Sequence, residues 1–201
     1  GSSPIQWPIL KGEKETGVTI MLVDEKMDHG PILKQTRLSF GEKETAKILH
    51  DKLAHLGADL LLKTIPDWIN GKIKPVSQNE KEATFSEILK RESGRIDWKK
   101  KAEEIERQIR AFDPWPGSYT LWKKDGKKIK IKVLKSRVLI SPENKRYEVG
   151  KVLVVPQNEI GVQCGDGNFL VVEKLQMEGK KETLAEDFLR GHSDFIGTVL
   201  D

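Results

Sequence analysis

From Ser118 onward the hydrophobic pattern changes period. Ile129, Ile131 and Val133 alternate with Lys128, Lys130 and Lys132. A period of two puts the apolar residues on one face of a strand and the ammonium groups on the other. Tyr119 to Trp122 precedes this run, and Asp125-Gly126 between the two is a strong hairpin signal. Further strands are expected at Gly150 to Val155, Gly161 to Cys164 and Phe169 to Gln176, with a tight turn at Gly165-Asp166-Gly167. Five short strands turned by glycines predict a small closed or partly open barrel.

The charge on this region bears on its partner. Residues 118–140 hold seven Lys (123, 124, 127, 128, 130, 132 and 135) and Arg137 against Asp125, a net of seven positive charges. The whole chain carries only +4, so the remainder is net acidic. Such a concentration points to a polyanionic partner. A solvated strand face accounts for it equally well.

Upstream the period is helical. Leu49, Leu53, Leu56 and Leu60 form one face of a stretch from Glu42 to Ile69, and Gly57 and Pro66 leave open two helices or one kinked helix. His50 and His55 lie on it at i, i+5, which does not place them on one face. Pro4 to Leu10 reads as a short helix with Ser2 or Ser3 as N-cap, closed by Gly12. Lys72 to Arg95 has no sustained period and reads as a connection with one helical turn at Ser86 to Lys90. Ala102, Ile105, Ile109 and Phe112 mark the buried stripe of a further helix with Asp97 as N-cap. Arg107 and Arg110 face elsewhere. Trp115, between Pro114 and Pro116, is a stiff wedge expected to brace a domain junction rather than a ligand. A last helix is expected over Leu184 to Arg190, with Thr183 and Glu186 as a capping box and Gly191 closing it.

Between the first two helical stretches, Val18 to Val23 reads as a buried strand. It runs into Asp24, Asp28 and the Gly30-Pro31 break, and a second strand-like run follows from Ile32 to Phe40. A carboxylate just past a buried strand is where α/β folds place working residues. Asp-x-Gly is also ordinary turn chemistry, and spacing alone favours that reading.

With 201 residues, 37% hydrophobic and 33% charged, the chain holds one sizeable domain or two small ones. Its one cysteine, Cys164, excludes an internal disulfide and fits a reducing cytosol. With four scattered His and no cysteine pair, no metal is expected. No apolar run approaches the roughly 18 residues of a membrane span, so a cytoplasmic protein with neither membrane segment nor signal peptide is expected. A chain that starts at Gly1 without Met is read as a fragment.

Taken in order, several motifs resemble the methionyl-tRNA formyltransferase family over essentially the whole length. They are Gly1-Ser-Ser-Pro-Ile-Gln6, Glu15-Thr-Gly-Val-Thr-Ile-Met21, Met27-Asp28-His29-Gly30, Arg95-Ile-Asp-Trp98, Arg110-Ala-Phe-Asp-Pro-Trp-Pro116 and Gly165-Asp-Gly167. The resemblance implies an α/β fold: the second half of a Rossmann-like formyltransferase domain, followed by a small OB-like β-barrel. Residues 1–73 would be the catalytic part, 74–95 the linker and 96–201 the tRNA-binding domain. The implied reaction transfers a formyl group from 10-formyltetrahydrofolate to the amino group of initiator methionyl-tRNA. The implied partners are that tRNA and the folate, acting on a monomer.

On this resemblance Asp28 is the carboxylate of the family's Asp-x-Gly loop, with His29 where Thr is more usual. The family's catalytic Asn and His, and its Ser-Leu-Leu-Pro folate loop, have no counterpart in these residues, and no folate-binding residue is assigned. An amine attacking a formamide carbon builds an oxyanion that placed donors must stabilise, while the amine loses a proton. One Asp, whose role depends on its charge state and partial burial, supplies part of this, so the fragment is expected to be inactive alone. The strand pattern, rather than the resemblance, nominates Lys128, Lys130 and Lys132 for tRNA, with Lys123, Lys124, Lys127 and Arg110 behind them. A sugar-amine formyltransferase, a formyltetrahydrofolate hydrolase and a non-catalytic RNA-binding module are the alternatives. The strand Val18 to Val23 is expected to pair with strands outside the chain, leaving an exposed edge.

Overall fold

A computed structural model describes residues 2–141 and 146–201. Gly1, the first residue of the leading motif, lies outside them. The chain forms two compact units, Gly1–Leu89 and Lys90–Asp201.

In the first unit, α1 (Gln6–Lys11) ends at Gly12, whose left-handed φ of 72° suits a residue without a side chain. Ser3 does not cap α1 with its side chain. It is buried, its amide donates to Ser86 Oγ at 3.0 Å and its hydroxyl to the Glu87 carbonyl at 3.0 Å. β1 (Glu15–Met21) and β2 (Ile32–Ser39) form a two-stranded antiparallel sheet. The strand expected over Val18 to Val23 therefore starts and ends earlier, and Val23 is 92% exposed. Its residues alternate between exposed and half-buried, so it is not a strand buried on both faces. Its partner is β2, from Glu15 opposite Ser39 to Met21 opposite Ile32.

α2 (Ala46–Ile69) is one helix that passes through both Gly57 and Pro66. Thr45 Oγ1 accepts from the Ile48 amide at its start. A Cβ at position 57 would begin 3.4 Å from Val18 Cγ1, so this turn of α2 packs directly on β1. Leu49 and Leu60 are buried, and Leu53 and Leu56 are half-buried beside them.

The segment after α2 folds back on this unit. Val76 exchanges two backbone hydrogen bonds with Ile32, of 2.8 and 2.9 Å. The helical turn expected at Ser86 to Lys90 is absent, and short 3-10 turns form at Glu80–Glu82 and Arg91–Gly94 instead.

In the second unit, α3 (Ala102–Ala111) packs on an antiparallel sheet of β3 (Ser118–Lys124), β4 (Lys127–Leu139), β5 (Val152–Val155), β6 (Glu159–Gln163), β7 (Phe169–Met177) and β8 (Glu182–Leu184). The spatial order is β3-β4-β7-β6-β5, with β8 added beside β7. Asp125 and Gly126, at φ of 49° and 75°, make the hairpin turn between β3 and β4. Register shifts at Lys135 bulge β4 and help to curl the sheet. Residues 198–201 then bridge its outer strands. Asp201 exchanges backbone hydrogen bonds with Leu121 of β3, at 3.1 and 3.2 Å. Thr198 accepts from Val152 of β5, and Leu200 donates to Gly150, each at 2.9 Å.

The core holds Ile105, Ile109, Trp122, Ile131, Val162 and Leu170. The expected stripe Ala102, Ile105, Ile109 and Phe112 is buried throughout. Asp97 does not cap α3: it accepts from the Lys99 amide at 3.0 Å, and Lys101 precedes the helix. Trp98 is buried and donates from Nε1 to Thr120 Oγ1 at 3.0 Å. A side chain at Gly165 would sit 1.9 Å from the Lys99 carbonyl, so the turn before β7 needs glycine. α4 (Ala185–Gly191) contains Gly191 and ends at His192. Thr183 lies in β8, so the expected capping box does not form.

Candidate functional site

The first candidate site is the loop between β1 and β2. Asp28 is exposed and has a positive φ of 55°, a left-handed conformation that few side-chain-bearing residues adopt, Asp being among the more tolerant, and here it is held. The holder is Gln78, whose Nε2 donates to the Asp28 carbonyl at 3.0 Å and to the Gly30 carbonyl at 2.8 Å. A Cβ at Gly30 would lie 1.7 Å from the Leu22 carbonyl oxygen. The Leu22 amide in turn donates to Pro31 at 2.9 Å. Asp-x-Gly is thus a fitted turn that presents the Asp28 carboxylate to solvent, without the burial that its expected role invokes.

His29 lies beside it. Its Nδ1 is 2.6 Å from Asp24 Oδ2, and its Nε2 is 2.7 Å from Glu80 Oε1. These contacts, first with Asp24 and then with Glu80, raise its pKa above the ordinary 6.5. Asp24 is lowered in turn by the His29 hydrogen bond and then by the Lys26 amide. Glu80 is lowered by the His29 hydrogen bond and then by the charge of Lys26. His50 and His55 are exposed on α2. Among the described residues, no group of three or more His, Cys, Asp or Glu is placed to hold a metal. Burial pushes the Cys164 thiol up to about 12, which leaves it protonated and unreactive at neutral pH.

The second candidate site is the outer side of the β3–β4 hairpin. Register places Tyr119 opposite Lys132, Leu121 opposite Lys130 and Lys123 opposite Lys128. The other side carries Trp122, Ile131 and Val133 into the core. The expected strand row of Lys128, Lys130 and Lys132 therefore forms, together with Lys123. Lys124 and Lys127 pair with each other at the tip of the opposite side.

Pairing divides the cations further. Asp201 Oδ2 lies 3.3 Å from both Lys123 and Lys128, and these contacts lower its pKa, Lys128 contributing most. Lys124 meets Asp194 at 2.8 Å and Lys135 meets Glu173 at 2.8 Å. Arg137 pairs with Glu159. Lys130 Nζ lies 3.7 Å from the centroid of the Tyr119 ring, a cation–π contact. Among the described residues, Lys127, Lys130 and Lys132 have no carboxylate partner. Arg110 is a poor member of this face, being only 14% exposed and bonded to Glu106 at 2.7 Å. Arg95, legible in the sequence only as the first residue of a motif, adjoins this face. It is exposed and bridges to Tyr119, next to Lys132. Its signal was the alternation of exposed Arg95 and Asp97 with buried Ile96 and Trp98. Trp115 is 51% exposed.

Comparison with known proteins places both sites in context. Residues 88–193 match the family model described as the formyl transferase C-terminal domain, and residues 1–65 match the one described as formyl transferase. A methionyl-tRNA formyltransferase from Halalkalibacterium halodurans is 43% identical over 202 residues, covering 100% of this chain and 62% of that protein. One from Bacillus velezensis is 41% identical over 200 residues, covering 100% of this chain and 61% of that protein. The chain thus spans about three fifths of the length of these curated relatives. HypX from Aquifex aeolicus, solved with tetrahydrofolic acid, is similar in fold at a TM-score of 0.64 and 19% identity, over 96% of this chain and 32% of that one. An N-formyltransferase from Helicobacter canadensis, solved with folinic acid and dTDP-3-aminofucose, has a TM-score of 0.61 at 23% identity, over 84% of this chain and 59% of that one.

Proposed function

The chain belongs to the formyl transferase family, and from that premise we propose that it serves formyl transfer from 10-formyltetrahydrofolate to the amino group of methionyl initiator tRNA. Asp28 is the working carboxylate, and residues 1–73 are the catalytic part. Residues 74–95 are the connection and residues 96–201 the tRNA-binding part. The curled sheet, its outer strands bridged by residues 198–201, is read as an OB-like barrel. The protein is read as a cytoplasmic monomer that uses folate as formyl donor and needs no metal. Asp28 alone does not stabilise an oxyanion, so the 201 residues by themselves are expected to show no formyl transfer.

The observation that carries the tRNA reading is the set of unneutralised ammonium groups on the β3–β4 hairpin. A tRNA acceptor arm offers phosphates along an A-form backbone, which charge and shape recognise. Lys130 and Lys132 project from the outer side, with Arg95 adjoining and Lys127 at the tip. Lys123 and Lys128 contribute only as Asp201 yields to a phosphate.

A salt titration of initiator tRNA binding to the 201-residue chain tests this. Affinity is expected to fall linearly on a log–log plot. Replacing Lys127, Lys130 and Lys132 by Ala is expected to flatten the slope by about two to three. Replacing Lys123 and Lys128 by Ala should flatten it less, because the two share the Asp201 carboxylate, which offsets one of their charges. Binding with the same slope in all three proteins would refute the assignment. No binding at low salt would favour the sugar-amine or folate-hydrolase alternatives.

A further inference from the structure

The Asp-His-Gly turn is gripped from two directions by one segment. Gln78 holds the backbone carbonyls of Asp28 and Gly30, and two residues later Glu80 meets the His29 ring. The other ring nitrogen meets Asp24, at the exit of β1. A carboxylate only accepts hydrogen bonds, and a neutral imidazole has one donor and one acceptor nitrogen. With carboxylate oxygens at 2.6 and 2.7 Å from its two nitrogens, His29 makes both bonds only as the imidazolium. We propose that His29, latched as a cation between Asp24 and Glu80, is the positioning residue that fixes the Asp28 turn against the 76–82 segment. The proposal rests on the assignment of Asp28 as the working carboxylate. It gives the histidine a mechanical role of its own.

The consequence is a latch with a pH window. The charged groups facing His29 are Asp24 and Glu80, with Lys26 opposing its charge from nearby. The contribution of His29 is fully present below the ordinary imidazole value of 6.5 and is lost as pH rises through the raised value in the folded chain. Asp24 and Glu80 contribute above their ordinary values, and that contribution is lost as pH falls through their lowered ones. The turn is therefore held most firmly between the carboxylate and imidazole ranges. On the alkaline side one of the two ring bonds goes first, because a neutral ring keeps only one donor.

NMR titration of the His29 ring in the 201-residue chain, with amide exchange across residues 24–30, tests the latch. His29→Thr assigns the signal by its loss. The wild-type midpoint is expected above 6.5, moving down in Glu80→Gln. Amide exchange at Asp28–Gly30 is expected to rise several-fold in Glu80→Gln and in His29→Thr. In the wild type it should rise with pH beyond the chemical rate as His29 loses its proton. Glu80 is 65% exposed, so an isosteric amide there leaves the fold intact, and amides of the second unit serve as reference. A midpoint at or below 6.5, or loop exchange unchanged in Glu80→Gln, would overturn the proposal. Neither readout requires formyl transfer. Failure of the latch thus leaves the role of Asp28 standing. A failed role for Asp28, seen as full formyl transfer by an Asp28→Asn protein in an active enzyme, leaves the latch standing and removes only its catalytic meaning.

Discussion

Trp122→Ala is expected to lower the stability of the second unit by about 3–5 kcal/mol, the largest single-residue effect in the chain. The indole is 1% exposed and sits where β3, α4 and the residues after α4 converge. Phe195 and Phe188 meet it edge-on, with ring centroids at 5.1 and 6.1 Å, and His192 packs at 5.8 Å. These rings are held by α4 itself and by the residues after it, so a cavity at position 122 cannot close without moving both. Among the described residues its Nε1 has no hydrogen-bond partner. Trp122→Phe therefore loses volume but no hydrogen bond, and should cost clearly less. Trp115→Ala, at a half-exposed site, should cost under about 1 kcal/mol. Urea unfolding followed by circular dichroism ranks the three, and Trp115→Ala equal to Trp122→Ala would show that this aromatic cluster is not the centre of the unit.

Gly30→Ala is expected to open the Asp28 turn and destabilise the first unit by roughly 1–3 kcal/mol. The new methyl would fall 1.7 Å from the Leu22 carbonyl oxygen and 2.8 Å from its carbon. Both atoms are backbone, so no rotamer change relieves the clash and the strand exit must move. That movement pulls Gly30 away from Gln78 and frees the Asp28 carbonyl with it. Gly41→Ala is the control, since its nearest neighbour would be the Glu44 carboxylate at 3.9 Å. Amide exchange across residues 22–31 should accelerate in the first variant and stay unchanged in the second. Equal exchange in both would mean that the turn does not depend on this close approach.

How far these features were legible in the sequence depends on their range. The β3–β4 hairpin was readable because its information is local: a period of two and an Asp-Gly turn act within a dozen residues. The buried stripe of α3 was readable for the same reason. Helix starts were misplaced where a candidate cap had another partner. Ser3 is taken by residues 86 and 87, Asp97 by the Lys99 amide, and Thr183 by a strand beside β7. The end of β1 was set too late because Leu22 and Val23 look like strand residues. The close approach of Gly30 to Leu22 turns the chain there instead.

The charge count shows the limit most plainly. The sequence determined that residues 118–140 carry a surplus of cations, and that alternation sends one row of lysines to the outer side of a strand. Which of those cations remain available was decided only by the tertiary structure. Asp194 and Asp201 arrive from the end of the chain, and Glu159 and Glu173 from β6 and β7, and these four carboxylates pair with five of them, Asp201 being shared by Lys123 and Lys128. Likewise the Asp-x-Gly motif marked Asp28 as a candidate, but its holders, Gln78 and Glu80, come from a stretch with no periodic signature. Side-chain periodicity and turn chemistry are properties of neighbouring residues and survive in the linear code. Ion pairing and loop clamping join groups far apart along the chain, from Arg137 with Glu159 to Asp28 with Gln78 and Lys124 with Asp194. They exist only once folding has brought those groups within about 4 Å.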